Sequence, residues 1–133
     1  MTTYLLDTNT VSYFLKRHPS VTRRITSTPM SSVCISAITE GELRFGLAKR
    51  PEATQLKLLV DNFLRHIVSR AWDTEVTTTY GRIRAELTLK GVVLSPLDLL
   101  IAAHALHLDA ILVTNDQAFS QVTGLKVENW TIN

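Results

Sequence analysis

Four carboxylates, Asp7, Glu42, Asp98 and Asp116, stand where strands give way to helices or turns. Asp7 follows an apolar run at residues 3–6 that suits a strand buried on both faces, and a helix-like run follows at 11–15. Asp116 comes just after residues 110–114, the second clear buried strand. Asp98 is the third helical residue after a Ser95 cap and a Pro96 suited to the first helical position. Glu42 lies three residues beyond Thr39, at the start of the helix leaving the second strand. Each acid also has a local explanation. Asp7, Thr8 or Asn9 can cap the first helix, Ser95-x-x-Asp98 and Thr39-x-x-Glu42 fit capping boxes, and Asp116 can close an Asx-turn.

Their conjunction implies more than capping. Right-handed crossovers in a parallel sheet bring strand ends of one kind to a common edge, where open α/β sheets hold their ligands. Carboxylates converging there repel by about 4 kcal/mol per close ionised pair at an effective dielectric of about 20. Such a cluster requires a shared proton or a cation. Oxygen-only donors select a hard ion, Mg2+ or Mn2+, over zinc. An ion held by carboxylates with open positions suits activation of water against a phosphodiester. Glu40 is close to Glu42 in sequence but about 200° away around a helix, so only one of the two can face the edge.

The elements that must position these acids alternate regularly. Strands are predicted at residues 3–6, 33–36, 67–69, 110–114 and 126–128, the third short enough to be an edge strand. Helices are predicted at 10–16, 20–28, 39–49, 52–66, 73–90 and 95–108, with Pro19, Pro29, Pro51 and Gly91 as stops. This order predicts an α/β fold, a parallel sheet covered by helices on both faces. With 133 residues the chain is expected to be one domain, 1–133, burying roughly two thirds of its unfolded surface. A 45% apolar and 20% charged composition is that of an ordinary globular protein, and a net charge of +2 permits a polyanionic partner without demanding one. The most apolar stretch, 97–113, is interrupted by Asp98, His104, His107 and Asp109, which excludes a spanning helix. No basic region precedes an apolar core at the N-terminus, so a cytoplasmic location is expected.

Four motifs in order carry a family resemblance: Leu6-Asp7-Thr8-Asn9, Glu42-Leu43-Arg44-Phe45-Gly46, Ser95-Pro96-Leu97-Asp98 with Ile101-Ala102-Ala103-His104-Ala105, and Thr114-Asn115-Asp116. They resemble those of PIN-domain ribonucleases, and more narrowly of VapC toxins from bacterial toxin–antitoxin pairs. The resemblance selects Glu42 over Glu40 and implies a three-layer α/β/α sandwich. It further implies a Mg2+- or Mn2+-dependent endoribonuclease, homodimerisation, and neutralisation by a VapB antitoxin that carries operator-DNA binding. Asp7, Asp98 and Asp116 are then the metal ligands, with Glu42 a ligand directly or through water, and Thr114 and Asn115 supporting residues. No acid stands in Gln117-Ala118-Phe119, where many relatives carry one, so a second tightly held ion is not expected. The chain looks most similar to the enteric group, whose substrate is initiator tRNA cut in its anticodon loop.

Other residues are given plainer roles. Cys34, the only cysteine, reads as a small buried hydrophobe. His104 is expected to pack on the alanines beside it, His107 to cap its helix end, and Trp130 to staple the last strand. Tyr13 and Phe14 are candidates for base stacking, at least one of them being core, and the stripe from Leu56 to Phe63 is expected to be core. Arg23, Arg24, Lys49, Arg50, Arg82 and Arg84 are candidate phosphate contacts. Two rival readings keep the same edge: a receiver-type phosphoacceptor domain, which usually has paired acids after its first strand, and a catalytically silent interaction module.

Overall fold

The computed structural model describes residues 1–132. The strands are β1 (Tyr4–Leu6), β2 (Val33–Ser36), β3 (Val68–Arg70), β4 (Ile111–Val113) and β5 (Val127–Glu128). All pair in parallel in the order β3-β2-β1-β4-β5, with Leu5 between Cys34 and Leu112 and Leu6 between Ile35 and Val113. The helices are α1 (Thr8–Leu15), α2 (Pro19–Ser27), α3 (Ala37–Ala48), α4 (Thr54–His66), α5 (Thr77–Leu89) and α6 (Pro96–His107). Strand pleating sends successive side chains to opposite faces, and two cores result. Leu5, Cys34 and Leu112 pack under Ile83 and Leu87 of α5 and Ile101, Ala102 and Ala105 of α6. Leu6, Ile35 and Val113 pack against Val11, Val21, Leu43, Val60 and Phe63 of α1 to α4. The result is the three-layer α/β/α sandwich expected.

Strand order reverses beside β1, because β2 and β3 lie on one side and β4 and β5 on the other. The crevice beyond the carboxyl ends of β1 and β4 is therefore a topological switch point.

Most predicted boundaries shift by a residue or two, and three shifts have a clear local reason. α1 begins at Thr8 rather than residue 10, because Asp7 itself caps it by accepting the Thr10 N–H at 2.8 Å. α3 begins at Ala37, not Thr39, because Ser36 caps it by accepting the Ile38 N–H at 3.1 Å. The predicted helix at 73–90 is broken: Asp73 caps a 3-10 turn, Thr74–Val76, before α5 starts. Gly91, at φ 73°, ends α5 with the Val92 N–H bonded to the Leu87 carbonyl at 2.9 Å. The stripe on α4 is core only in part: Val60 and Phe63 are buried, whereas Leu59 is 45% exposed.

Trp130 is buried against Tyr4, its indole N–H donating to Glu128 at 2.9 Å, so it staples β5 as expected. Cys34 is buried and its thiol is pushed up to about 11 by desolvation, which makes it an inert core residue. His107 faces Glu75 at 3.9 Å in the last turn of α6. His104 does lie buried on the alanine face, and it also joins layers: its Nδ1 is 2.8 Å from the Ser36 hydroxyl, and its side chain bonds the Ala71 backbone. Because Ser36 Oγ accepts from Ile38, its own proton is free for the imidazole, and this network suits a neutral ring. Burial holds the His104 pKa below its ordinary 6.5, helped by Arg70 and His107. The unfolded chain therefore binds the proton more readily, and stability is lost as pH falls below about 6.5. Thermal melts from pH 7.5 down to 5 should show that descent, and in His104→Asn it should be shallower although the variant is less stable at pH 7.5.

Candidate active site

Asp7 closes β1 and is only 5% exposed. Its backbone N–H reaches the Val113 carbonyl at 3.0 Å, so pairing of β1 with β4 continues into the acid itself. One carboxylate oxygen accepts the Thr10 N–H, while the Thr10 hydroxyl donates to the Val113 carbonyl at 3.0 Å. Asp7 thus caps α1 and faces the crevice at once, and the two readings of the residue do not compete.

Thr114 follows β4 directly, is buried, and serves two acids. Its side chain hydrogen-bonds Asp7, and its Oγ1 accepts the Asp116 N–H at 3.0 Å. Asp116 forms the expected Asx-turn, accepting the Ala118 N–H at 2.9 Å, and its side chain is exposed. Asp98 lies in the first turn of α6, with its N–H bonded to Ser95 Oγ at 3.2 Å as the capping box required. Asn115 donates its Nδ2–H to the Tyr13 hydroxyl at 3.0 Å, which ties α1 to the loop after β4. Phe14, the other base-stacking candidate, packs on Phe63 in the core.

The electrostatics link three of the acids. Desolvation raises the Asp7 pKa, the Thr114 and Thr10 bonds oppose the rise, and the Asp98 charge adds to it. Desolvation also raises Asp98, with Ser95 opposing and the Asp116 charge adding. Asp7 therefore feels Asp98, and Asp98 feels Asp116. Among the described residues none of these acids forms an ion pair. A buried acid that feels other acids, with no cation beside it, is an oxygen-rich, negatively charged setting whose donor type suits Mg2+ or Mn2+. Side chains of three or more His, Cys, Asp or Glu are not gathered into a ready metal-holding group among the described residues.

Glu42 stands apart from this trio. With α3 starting at Ala37, it lies in the second turn, and the expected Thr39 capping box is absent because Ser36 holds that role. Thr39 is instead buried inside α3, where its hydroxyl accepts from Thr8 Oγ1 at 3.3 Å, a link between α3 and the start of α1 that sequence patterning did not reveal. Glu42 lines an apolar groove between α1, α3 and α4 with Thr8, Ser12, Leu47, Leu56 and Val60. Glu40 is already committed: Ser69 and Arg44 hold its carboxylate below the usual range, with Arg44 at 3.0 Å. That leaves Glu42 as the uncommitted acid of the two.

Most candidate phosphate contacts have local partners. Arg24 pairs with Glu128 at 3.0 Å and lies over Trp130, Arg82 reaches Glu86 at 3.5 Å, Arg84 donates to the Tyr80 hydroxyl at 2.9 Å, and Lys49 lies over Phe45.

The PIN-domain family model matches residues 4–125, which hold the five-stranded parallel sheet up to β4, its switch-point crevice and all three acids, Asp7, Asp98 and Asp116. The chain belongs to that family. Its relatives place it with the VapC toxins of VapBC toxin–antitoxin systems. It is 34% identical over 131 residues to the tRNA(fMet)-specific endonuclease VapC of Salmonella typhimurium, covering 98% of this chain and 99% of that protein. It is 34% identical over 130 residues to Ribonuclease VapC2 of Rickettsia felis, covering 96% and 97%. Among solved structures it resembles DNA-bound VapBC from Salmonella typhimurium (TM-score 0.90, 33% identity, 98% and 99% covered). It likewise resembles VapBC2 from Rickettsia felis bound to a promoter DNA fragment (TM-score 0.89, 33% identity, 97% and 99% covered).

Raised carboxylates carry a stability consequence with a definite sign. When Asp7 and Asp98 titrate above their unfolded values, stability is full below the unfolded pKa of 3.8 and is lost as pH rises through the folded values. Asn at position 7 keeps the acceptor for the Thr10 N–H while removing the charge. At pH 7 and without divalent ions, Asp7→Asn and Asp98→Asn should therefore match or exceed the wild-type melting temperature. A drop of several degrees in both would show that the ionised acids are stabilising.

Proposed function

We propose that this chain is a cytoplasmic, Mg2+-dependent endoribonuclease, with Mn2+ able to substitute, that cuts tRNA. The substrate assigned is initiator tRNA, cleaved in the anticodon loop to stop translation. The observation that carries the nuclease reading is the linked trio Asp7, Asp98 and Asp116, partly buried and without a cationic partner. The tRNA assignment rests on the tRNA(fMet) specificity in the name of the Salmonella typhimurium relative. A receiver-type domain is disfavoured by the family match and by Asp7 having no adjacent acid.

Asp7, Asp98 and Asp116 would hold the ion, with Glu42 acting directly or through water. When bound, that ion supplies an acidified water and offsets charge building on the phosphate. The chain's own residues do the positioning. Thr114 keeps the Asp7 and Asp116 segments in register through one hydroxyl. Ser95 fixes the first turn of α6 and so Asp98. The α1 cap orients the Asp7 carboxylate through Oδ1, and the Thr114 and Thr10 side chains hold it further.

The partner proposed is a VapB-type antitoxin. The groove along Glu42 would receive its apolar residues, and an Arg fork would reach the acids. Homodimerisation would use exposed apolar surface such as Leu89 at the end of α5 and Val93 in the loop after it, which are 88% and 90% exposed. The larger assembly would bind operator DNA through the antitoxin.

Two experiments test this reading. Purified protein with Mg2+ or Mn2+ should cut initiator tRNA in preference to unstructured RNA of equal length. EDTA should stop the reaction, and Asp7→Asn or Asp98→Asn should lower kcat/KM by roughly a hundredfold or more. Cleavage in EDTA, or wild-type activity in either variant, overturns the shared metal site. The copurified complex with the neighbouring small gene's product should be silent until the partner is removed, and Ala in place of its site-directed cation should restore cleavage. A fully active stoichiometric complex excludes inhibition by occupation of the site.

A further inference from the structure

The carboxylate edge has a second wall that the proposed mechanism does not use. On the β5 side of Asp116 the surface falls into an open trough of about 370 Å3, whose lining includes Asn115, Gln117, Asn129, Val127 and Ile132. We infer that this trough receives an unstacked nucleobase of the RNA, from a nucleotide flanking the cleaved bond. The inference rests on the endoribonuclease reading and deepens it by naming where substrate bases are read.

Continuity is the first argument. Thr114 and Asp116 line the trough and also belong to the acid cluster, so a nucleotide whose phosphate lies at the acids has its base within reach of this wall. Charge is the second. Among the described residues the trough is lined by no Lys or Arg, and Asp116 is their only ionisable side chain. A phosphate would be repelled there, whereas a neutral base would not.

Hydrogen bonding is the third argument and the most specific. Asn115 spends its Nδ2 on the Tyr13 hydroxyl, and no described residue bonds its Oδ1. Asn129 is the converse: its Oδ1 accepts from Thr131 N at 2.9 Å and Thr131 Oγ1 at 2.6 Å, which leaves Nδ2 unused. The trough therefore has one donor whose orientation the Thr131 N–H fixes, at Asn129, and one acceptor at Asn115, with the Gln117 amide as a third, adaptable group. Base edges present adjacent donors and acceptors, and single-stranded RNA is read on such edges. Val127 and Ile132 are exposed apolar side chains that offer a ring face a dry surface. An apolar peptide is better matched by the groove at Glu42, whose lining includes Leu15, Leu43, Leu47, Leu56 and Val60.

The test uses Asn129→Asp, which keeps the Oδ1 acceptor for Thr131 and turns the Nδ2 donor into a charged acceptor, alongside Gln117→Ala. The added charge acts equally on natural and abasic RNA, so only the difference between the two reports the base contact. Cleavage is compared on the natural RNA and on RNAs with an abasic residue at each position flanking the cut. Wild type should lose about five- to twentyfold in kcat/KM on one abasic RNA, the worth of a good base contact. Asn129→Asp should lose a similar factor on natural RNA and little more on the abasic one. Equal losses for both proteins on the abasic RNA overturn the inference. In parallel, an uncleavable 2′-O-methyl oligonucleotide of the target loop is titrated into wild-type protein, and the side-chain amide NMR signals are followed. Shifts of Asn115 and Asn129 that vanish when the flanking base is removed support the trough even if no RNA is cleaved. Shifts confined to the Glu42 groove, or none at either asparagine, overturn it. A wild type that binds the loop through these amides without cleaving it would instead refute the nuclease reading alone.

Discussion

A carboxylate taken out of water loses hydration that must be replaced by protein dipoles, by a cation or by a proton. At Asp7 the replacement is incomplete. A backbone N–H and a threonine hydroxyl stabilise the charge, yet burial and Asp98 outweigh them and the pKa rises. Cations elsewhere on the surface pair with Glu40, Asp61, Glu86 and Glu128 rather than with this cluster. The deficit can persist because Asp7 is fixed on two sides, by the β4 backbone through Val113 and by the first turn of α1 through Thr10. A flexible loop acid would relieve the same repulsion by turning to solvent.

That constraint explains why the short central strands suffice. β1 has three residues and β4 has three, but both are flanked by neighbours and buried on two faces, so their ends are held by packing above and below. Leu5 and Leu6 send one side chain into each core, and the following residue emerges at the switch point between opposite crossovers. α6 reaches the same place from the other face of the sheet. Its Ser95 cap sets Asp98, and its His104 locks it to Ser36 at the end of β2. Three layers thus converge on one edge, each through a hydrogen bond made by a cap or a strand-end residue.

The strand ends were legible because fully buried parallel strands are apolar runs bounded by polar residues, and Asp7, Thr114 and Asp116 fall at those bounds. Asp98 was legible through Ser95-Pro96, a start signal with a physical cause. Less was legible where tertiary contact chose between local options. Thr39 reads as a cap, but Ser36 sits one residue before Ala37 and takes the role, while Thr39 turns inward to Thr8. The break at Thr74–Val76 was hidden because an Asp-Thr cap looks the same before a 3-10 turn as before an α-helix. Partners 102 and 68 residues apart, Asn115 with Tyr13 and His104 with Ser36, leave no trace in spacing. Tertiary folding alone brings them together.

The asymmetry of the two flanks follows from the topology. On the α3–α4 side the surface beside the acids is a groove walled by helices, so it is lined by the half-buried aliphatic residues that helix packing leaves at its margins, Leu47 and Leu56 among them. On the β5 side the sheet ends, and the wall is made by loops whose amides are partly consumed in their own turns, as at Asn129. An apolar groove gains most from a partner that buries hydrophobic area, while a trough of fixed donors and acceptors gains most from a ligand with a matching polar edge. Under the proposed function, a cationic partner side chain and the metal ion that serves the substrate would compete although partner and RNA approach from different sides, because both cations would occupy the same uncompensated charge. Exclusion at the acids needs no conformational change between the flanks. It would require only that Asp7, Asp98 and Asp116 accept one positive centre at a time.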